Sequence, residues 1–193
     1  MKIAEFFAQN AFSPDIDTDA LLAEFDRQMD AGLAGGKSSL AMIPAYVDAD
    51  RAVKTDTPIN VLDAGGTNLR VATVRFDKAG KAKIEGLRKC AMPGTDGTSL
   101  SAEAFFDRIA EVLEPVAGNA KDVGFCFSYP TEITPALDGR LMRWTKQVDA
   151  PGVVGKMIGS GVAAAVKRRL GRKPAVRVLN DTVATLLAGK SVG

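Results

Sequence analysis

Asp63-Ala64-Gly65-Gly66-Thr67-Asn68 is the stretch that decides how this chain is read. An apolar run, Ile59, Val61 and Leu62, precedes it, and a second one, Leu69, Val71, Ala72 and Val74, follows. Two such runs around a glycine pair predict a hairpin with strands over 59–63 and 69–76. Glycines at its tip let backbone N–H groups approach a phosphate closely. A carboxylate at the strand end, Asp63, can hold a hydrated Mg²⁺. Thr67 and Asn68 add hydroxyl and amide groups. Phosphoryl chemistry needs donors, a metal and a tight turn together. A plain hairpin turn also uses glycines, so this stretch alone leaves both readings open.

Composition narrows the field. A chain of 193 residues is long enough for one domain with a sizeable core. Its 46% hydrophobic and 25% charged residues are ordinary for a soluble globular protein. A net charge of +2 offers no bulk electrostatic support for binding nucleic acid. The first ten residues carry Lys2 and Glu5 and have no apolar core, so they do not read as a secretory signal. No apolar run approaches the length of a membrane span. Cys90 and Cys126, with no CxxC spacing, read as buried thiols in a reducing cytoplasm. There is no histidine. That excludes Ser-His-Asp and Cys-His nucleophilic catalysis, the HExxH zinc site and mixed Cys/His zinc sites. Proton transfer near neutral pH then falls to a carboxylate, a Lys, a Tyr or a Cys.

The rest of the chain alternates. Thr18 to Leu33 predicts a helix, with Asp17 or Thr18 as its N-cap. Gly36-Lys37-Ser38 invites comparison with a P-loop, but that motif needs Gly where Ala31 stands and a strand before it. Ile84–Met92 reads as a third strand. Ser99 or Ser101 caps a helix running to about Val116. Val123–Tyr129 is a strand stopped by Pro130, and a polar stretch with a hairpin near Asp138-Gly139 follows. Val154, Ile158, Val162, Val166 and Leu170 step by four and predict one amphipathic helix. Its basic end, Lys167-Arg168-Arg169, reads as a solvated helix terminus complementing the macrodipole. Ala175–Leu179 is a strand, and Asn180 opens a last helix. The order β-β-β-α-β-α-β-α predicts an α/β fold, a mixed five-stranded sheet flanked by helices, after a helical N-terminal lead-in over 1–57. Such sheets bind ligands at strand ends.

Three further clusters fall at those ends. Phe127-Ser128-Tyr129-Pro130 leaves a strand, Trp144-Thr145-Lys146 lies in the polar stretch, and Leu179-Asn180-Asp181-Thr182 joins a strand to a helix. Their Ser, Thr, Lys, Asn and Asp side chains suit sugar hydroxyls. Singly, each has a plain explanation: Asn180 and Asp181 as helix caps, Ser128 as a strand-end hydroxyl, Trp144 as core, Lys146 as a surface lysine.

Together with Asp63-Ala-Gly-Gly-Thr-Asn-Leu-Arg70 and the upstream Ser38-Ser39-Leu-Ala-Met42-Ile-Pro44-Ala-Tyr46-Val47, these clusters resemble the eukaryotic-type hexokinase family. The resemblance implies an actin-like, ribonuclease H-like ATPase lobe over 58–193, the smaller lobe of two, with the larger one absent from this chain. It implies ATP-dependent phosphorylation of a hexose, glucose first, at the 6-hydroxyl, in the cytoplasm. Asp63, Ala64, Gly65, Gly66, Thr67 and Asn68 would form the ATP phosphate turn, with Asp63 acting on Mg²⁺ through water and Arg70 near the transferring phosphoryl group. Ser128, Tyr129, Pro130, Thr145, Lys146, Asn180 and Asp181 would line the hexose. Asp181 would be the general base, and Lys146 would add positive charge at the reacting oxygen. The expected partners are hexose, ATP and the second lobe, with neither nucleic acid nor membrane. Gln147 stands where the family has Gly, and Thr131-Glu132 where it often has a Gln nearby, which bears on sugar preference rather than reaction class. A non-catalytic sugar-binding or regulatory module of the same fold is the alternative reading.

Overall fold

The computed structural model describes residues 2–10, 16–48, 50 and 52–192, with side chains through 189. The chain divides into two compact units, 1–43 and 44–193. The first holds α1 (Ile3–Gln9) and α2 (Thr18–Leu33). The short α1 was not expected from the sequence. Asp17 caps α2, its carboxylate accepting the N–H groups of Asp19 and Ala20 at 3.1 and 3.0 Å. Gly36-Lys37-Ser38 is not a phosphate loop, because the Ser38 hydroxyl donates to the Gln28 carbonyl at 2.6 Å. The lead-in is therefore helical only in part. Among the described residues, 34–58 form no helix and no strand beyond one bridge at Thr55.

The second unit begins with β1 (Ile59–Ala64), β2 (Asn68–Phe76) and β3 (Ala82–Ala91), then α3 (Ala102–Ala117) and β4 (Asp122–Phe127). A small hairpin follows, β5 (Thr131–Ile133) with β6 (Gly139–Leu141). The chain closes with α4 (Ile158–Leu170), β7 (Ala175–Leu179) and α5 (Asp181–Val192). The main sheet has five strands in the order β3-β2-β1-β4-β7. β1 pairs antiparallel with β2 and parallel with β4, and β4 pairs parallel with β7. This is the predicted mixed sheet. β1, β4 and β7 consequently end at the same edge.

Alternation along the strands separates two faces. Leu62 and Ala64 of β1 and Val123, Phe125 and Phe127 of β4 are buried against α3 and α4. α3 contributes Phe105, Phe106, Ile109 and Leu113, and α4 contributes Ile158, Val162 and Val166. Gly161 lies within α4, where glycine lowers helix stability by about 1 kcal/mol relative to Ala. Space requires it there, since a Cβ would overlap the Phe106 ring. Ser101 caps α3, accepting the Ala104 N–H at 3.1 Å. Val154 is excluded from α4, because a turn with Gly155 at φ +80° lies between them. Across the helix pair, Arg168 meets Asp107 at 2.6 Å and Arg169 meets Glu114 at 2.5 Å. Two of the three basic residues are thus engaged by acids on α3. No helix among the described residues is long and apolar enough to cross a membrane.

One polar group sits within this core. Asn60 is 0% exposed. Its amide donates to the Ala117 carbonyl at 3.3 Å, and its side-chain oxygen accepts from the Thr73 hydroxyl at 3.0 Å. Asn119 in turn donates to that hydroxyl at 3.1 Å. β1, β2 and the end of α3 are tied together by this chain, and a buried polar group left unpaired is costly. Asn60→Leu, close to it in shape, removes both bonds. We expect a loss of about 1–3 kcal/mol in urea unfolding. Unchanged stability would show that the relay holds nothing.

Candidate active site

Every motif singled out in the sequence except the upstream segment reaches the carboxyl ends of β1, β4 and β7 or the loops beside them. Strand register explains this. Asp63 of β1 pairs with Arg70 of β2 on one side and with Cys126 of β4 on the other. Arg70 pairs with Lys89 of β3, and Cys126 pairs with Leu179 of β7. Residues directly opposite across a sheet share a face. Lys89, Arg70, Asp63, Cys126 and Leu179 therefore form one row across all five strands, on the face away from α3 and α4. Asn180 and Asp181 follow Leu179 immediately.

Two carboxylates converge on this row. The thiol of Cys126 is pushed up to about 11, by burial first, then by the charge of Asp63, then by that of Asp181. Asp63 and Asp181 both bear on one sulfur, although 118 positions separate them in sequence (181 minus 63). Asp63 also forms an ion pair with Arg70, Nη1 to Oδ2 at 2.7 Å. Asn180 acts as a cap, its side-chain oxygen accepting the Thr182 N–H at 3.0 Å, and Asp181 accepts the same N–H at 2.8 Å. Asp181 opens α5 and is partly exposed.

The glycine turn is compact. Gly65 N–H donates to the Asn68 carbonyl at 2.9 Å, and the Asn68 amide donates to Thr67 Oγ1 at 2.9 Å. Thr67 accepts the Met92 N–H on its carbonyl at 3.0 Å, fastening the turn to the end of β3. Ala64 is buried and contributes only its backbone, its carbonyl accepting Ser128 N–H at 3.1 Å. Neither Gly65 nor Gly66 adopts a positive φ. At Gly66 the missing side chain leaves room for the Lys146 stem, since a Cβ would lie 2.6 Å from Cδ of Lys146 and push that side chain aside.

The loop after β4 packs against that turn. Lys146 donates to the Ser128 carbonyl at 3.1 Å and sits 5.2 Å from the centre of the Tyr129 ring. Trp144 is core, as its side chain predicted: its ring meets Tyr129 edge-on at 4.8 Å, and its N–H donates to the Ala150 carbonyl at 2.8 Å. Ser128 and Pro130 are half-buried at the mouth, and Thr145 is exposed without a side-chain hydrogen bond among the described residues. Tyr129 differs from its expected place beside a sugar. It is 1% exposed, beneath the turn, with its hydroxyl on the Gly65 carbonyl at 3.0 Å. Alternation along β4 puts it on the buried face with Phe125 and Phe127. Lys89 and Cys126 escaped sequence reasoning, because only register reveals that they join the row.

A hollow of 750 Å³ lies between β3 and α3, lined by Arg88, Cys90, Met92, Leu100, Val112 and Pro115. Another of 300 Å³ is lined by Val53, Ile59, Phe76 and Arg177 among others. Lys89 of the row also lines the first, but neither contains Asp63, Cys126, Asp181, Lys146 or a residue of the glycine turn. Convergence of carboxylates, glycine turn and lysine at one sheet edge is the better guide to chemistry.

A glycine turn between the first two strands of a sheet ordered β3-β2-β1-β4-β7, with helices against it, defines one lobe of an actin-like ATPase fold. Residues 3–191 match the hexokinase family, and the chain belongs to it. Hexokinase-1 of Oryza sativa subsp. japonica is 33% identical over 175 residues, covering 84% of this chain and 35% of that protein. Hexokinase-1 of Nicotiana tabacum is 32% identical over 205 residues, covering 98% of this chain and 41% of that protein. A hexokinase from Schistosoma mansoni, solved in complex with glucose, superposes with a TM-score of 0.70 at 33% identity, covering 85% of this chain and 39% of that one. The chain thus spans about two-fifths or less of the length of these relatives.

The convergence at Cys126 has a measurable consequence. A thiol raised from 9.0 to about 11 is almost wholly protonated at pH 8 and reacts slowly with iodoacetamide. The native state favours the protonated thiol, so its contribution to stability is complete below about pH 9 and fades as pH rises to about 11. Asp63→Asn and Asp181→Asn each remove one repelling charge. Both should speed alkylation of Cys126 at pH 8, followed by peptide mass spectrometry. If only one of the two speeds it, the carboxylates do not share this thiol.

Proposed function

We propose that this chain serves ATP-dependent phosphorylation of a hexose, glucose first, at its 6-hydroxyl. The observation that carries the reading is the placement of Asp63 and Asp181 at one sheet edge on either side of Cys126. A phosphate-side carboxylate and a sugar-side carboxylate must face one cleft for in-line transfer, and this arrangement supports that reading. The glucose complex of the S. mansoni relative supports the choice of sugar. Residues 58–193 form the small lobe in this reading, and the adenosine pocket belongs to a second lobe beyond the matched third or so of the relatives. The unpaired thiols Cys90 and Cys126 suit a reducing cytoplasm.

The residues divide the work as follows. The turn from Gly65 to Asn68 presents N–H, hydroxyl and amide groups to the ATP phosphates. Arg70 lies one strand from Asp63 and bears on the transferring phosphoryl group. Ser128, Thr145, Lys146 and Asn180 hold the sugar by its hydroxyls, with Pro130 flanking them. Asp181 accepts the proton of the 6-hydroxyl as that oxygen bonds to phosphorus, which contributes about 10²- to 10⁴-fold. Lys146 supplies charge near the reacting oxygen, held there by the Ser128 carbonyl and the Tyr129 ring.

Mg²⁺ fits this donor set. It keeps most of its waters and binds through one or two carboxylates plus substrate phosphates. Asp63 presents a carboxylate about two-fifths exposed, beside the turn. Among the described residues no cluster of three acidic, His or Cys groups could hold a metal without the nucleotide. When bound with ATP, the ion neutralises charge on the β- and γ-phosphate oxygens.

Trp144 is the sole tryptophan, one residue from Thr145, so its fluorescence reports on the sugar loop. For Asp181→Asn in the two-lobed enzyme we expect kcat to fall about 10²- to 10⁴-fold, with the glucose affinity of this chain, read from Trp144, changed less than about threefold. Retained kcat ends the assignment of Asp181 as base. Loss of glucose binding together with kcat moves Asp181 from base to sugar anchor.

A further inference from the structure

The hydroxyl of Tyr129 lies 3.0 Å from the Gly65 carbonyl oxygen and 3.5 Å from that of Gly66. Tyr129 is 1% exposed, so this donor reaches the turn from the protein interior. A trans peptide points its C=O and its N–H in opposite directions. There is no cis bond among the described residues. Fixing the Gly65 carbonyl inward therefore turns the Gly66 N–H outward. Neither this N–H nor that of Thr67 has a hydrogen-bond partner among the described residues. Two adjacent unpartnered amides, the first facing out of the protein, are an anion-binding arrangement.

We propose that Tyr129 is a positioning residue for the phosphate turn, its buried hydroxyl orienting the Gly65–Gly66 peptide plane so that the Gly66 amide, beside the unpartnered Thr67 amide, faces a polyphosphate. The proposal rests on the kinase reading for the identity of the anion, and on the geometry alone for the clamp. Burial pushes the Tyr129 hydroxyl up to about 12, so it remains a neutral donor at any working pH. Its ring is fixed as well. Trp144 meets it edge-on at 4.8 Å, Phe127 lies 4.9 Å away, and Lys146 sits 5.2 Å over it. One side chain thereby links three elements: the sugar loop that carries it, the lysine above it and the phosphate turn it holds. Phe at this position would keep all the ring contacts and lose only the orienting bond.

Tyr129→Phe is accordingly the test, in the 193-residue chain labelled for amide NMR. Three readouts are taken: exchange of the Gly65 amide, which closes the turn onto Asn68, and titrations with tripolyphosphate and with glucose. The expected result is exchange at Gly65 faster by about 3- to 10-fold and tripolyphosphate affinity lower by about 3- to 10-fold, the worth of one hydrogen bond. Glucose affinity should change less than about twofold. Unchanged exchange at Gly65 overturns the clamp. Equal loss of both affinities overturns it too, since the hydroxyl would then serve the fold as a whole. Wild-type amides of Gly66 and Thr67 that do not shift with tripolyphosphate overturn the anion assignment. Glucose that fails to bind the wild type counts against the kinase reading alone.

Discussion

Parallel pairing of β1, β4 and β7 is the constraint on which everything else here depends. Three strands running the same way must end at the same edge, so whatever follows each of them meets there. β1 runs into the glycine turn, β4 into Ser128-Tyr129-Pro130, and β7 into Asn180-Asp181. Register then sets the finer placement. A shift of one residue in β4 would turn Cys126 to the other face and bring Phe125 or Phe127 beside Asp63. The aromatic core prevents that shift. Phe125 and Phe127 are buried, and Phe127 stands within ring contact of Tyr129 and Trp144. The apolar face against α3 and α4 thus positions the polar groups on the opposite face.

Local chemistry was legible in the sequence because it is local. Asp17 and Ser101 cap helices by bonds to residues two or three positions on, and each is one of the two candidates the sequence offers there, Asp17 or Thr18 and Ser99 or Ser101. The five strands of the sheet follow from alternation and turn residues, and their bounds agree within a few positions. Period alone misled at Val154, which keeps the four-residue step of α4 but stands before Gly155 and outside the helix. Tyr129 was read by its company, a serine and a proline at a strand end, and not by its parity. Counting by twos from Phe125 would have placed it inside. Lys89 and Cys126 required knowledge of which strand lies beside which, and no single-strand pattern contains that.

The glycines of the turn carry a similar lesson. The sequence reads them as letting backbone N–H groups approach a phosphate closely, and neither Gly65 nor Gly66 has a positive φ. At Gly66 the absence of a side chain makes room for the Lys146 stem. The same substitution that would crowd the turn would therefore displace Lys146. The glycine turn and the segments carrying Lys146 and Ser128-Tyr129 are coupled through space filling, in addition to the hydrogen bonds from Ser128 to Ala64 and from Tyr129 to Gly65.

The ion pair between Asp63 and Arg70 completes the argument. At 2.7 Å it is close, but its side chains are 40% and 44% exposed. Pairs this exposed contribute about 0–1 kcal/mol in water. A tight buried pair would resist separation, because each charge would be left without a partner in a medium of low dielectric. Here each member can exchange its partner at little cost. In the proposed reaction Arg70 would turn to the phosphoryl oxygens and Asp63 to the waters of Mg²⁺, so the two charges that hold each other in the free chain are those needed apart when nucleotide arrives. A weak pair across adjacent strands keeps both side chains on the working face and leaves both available.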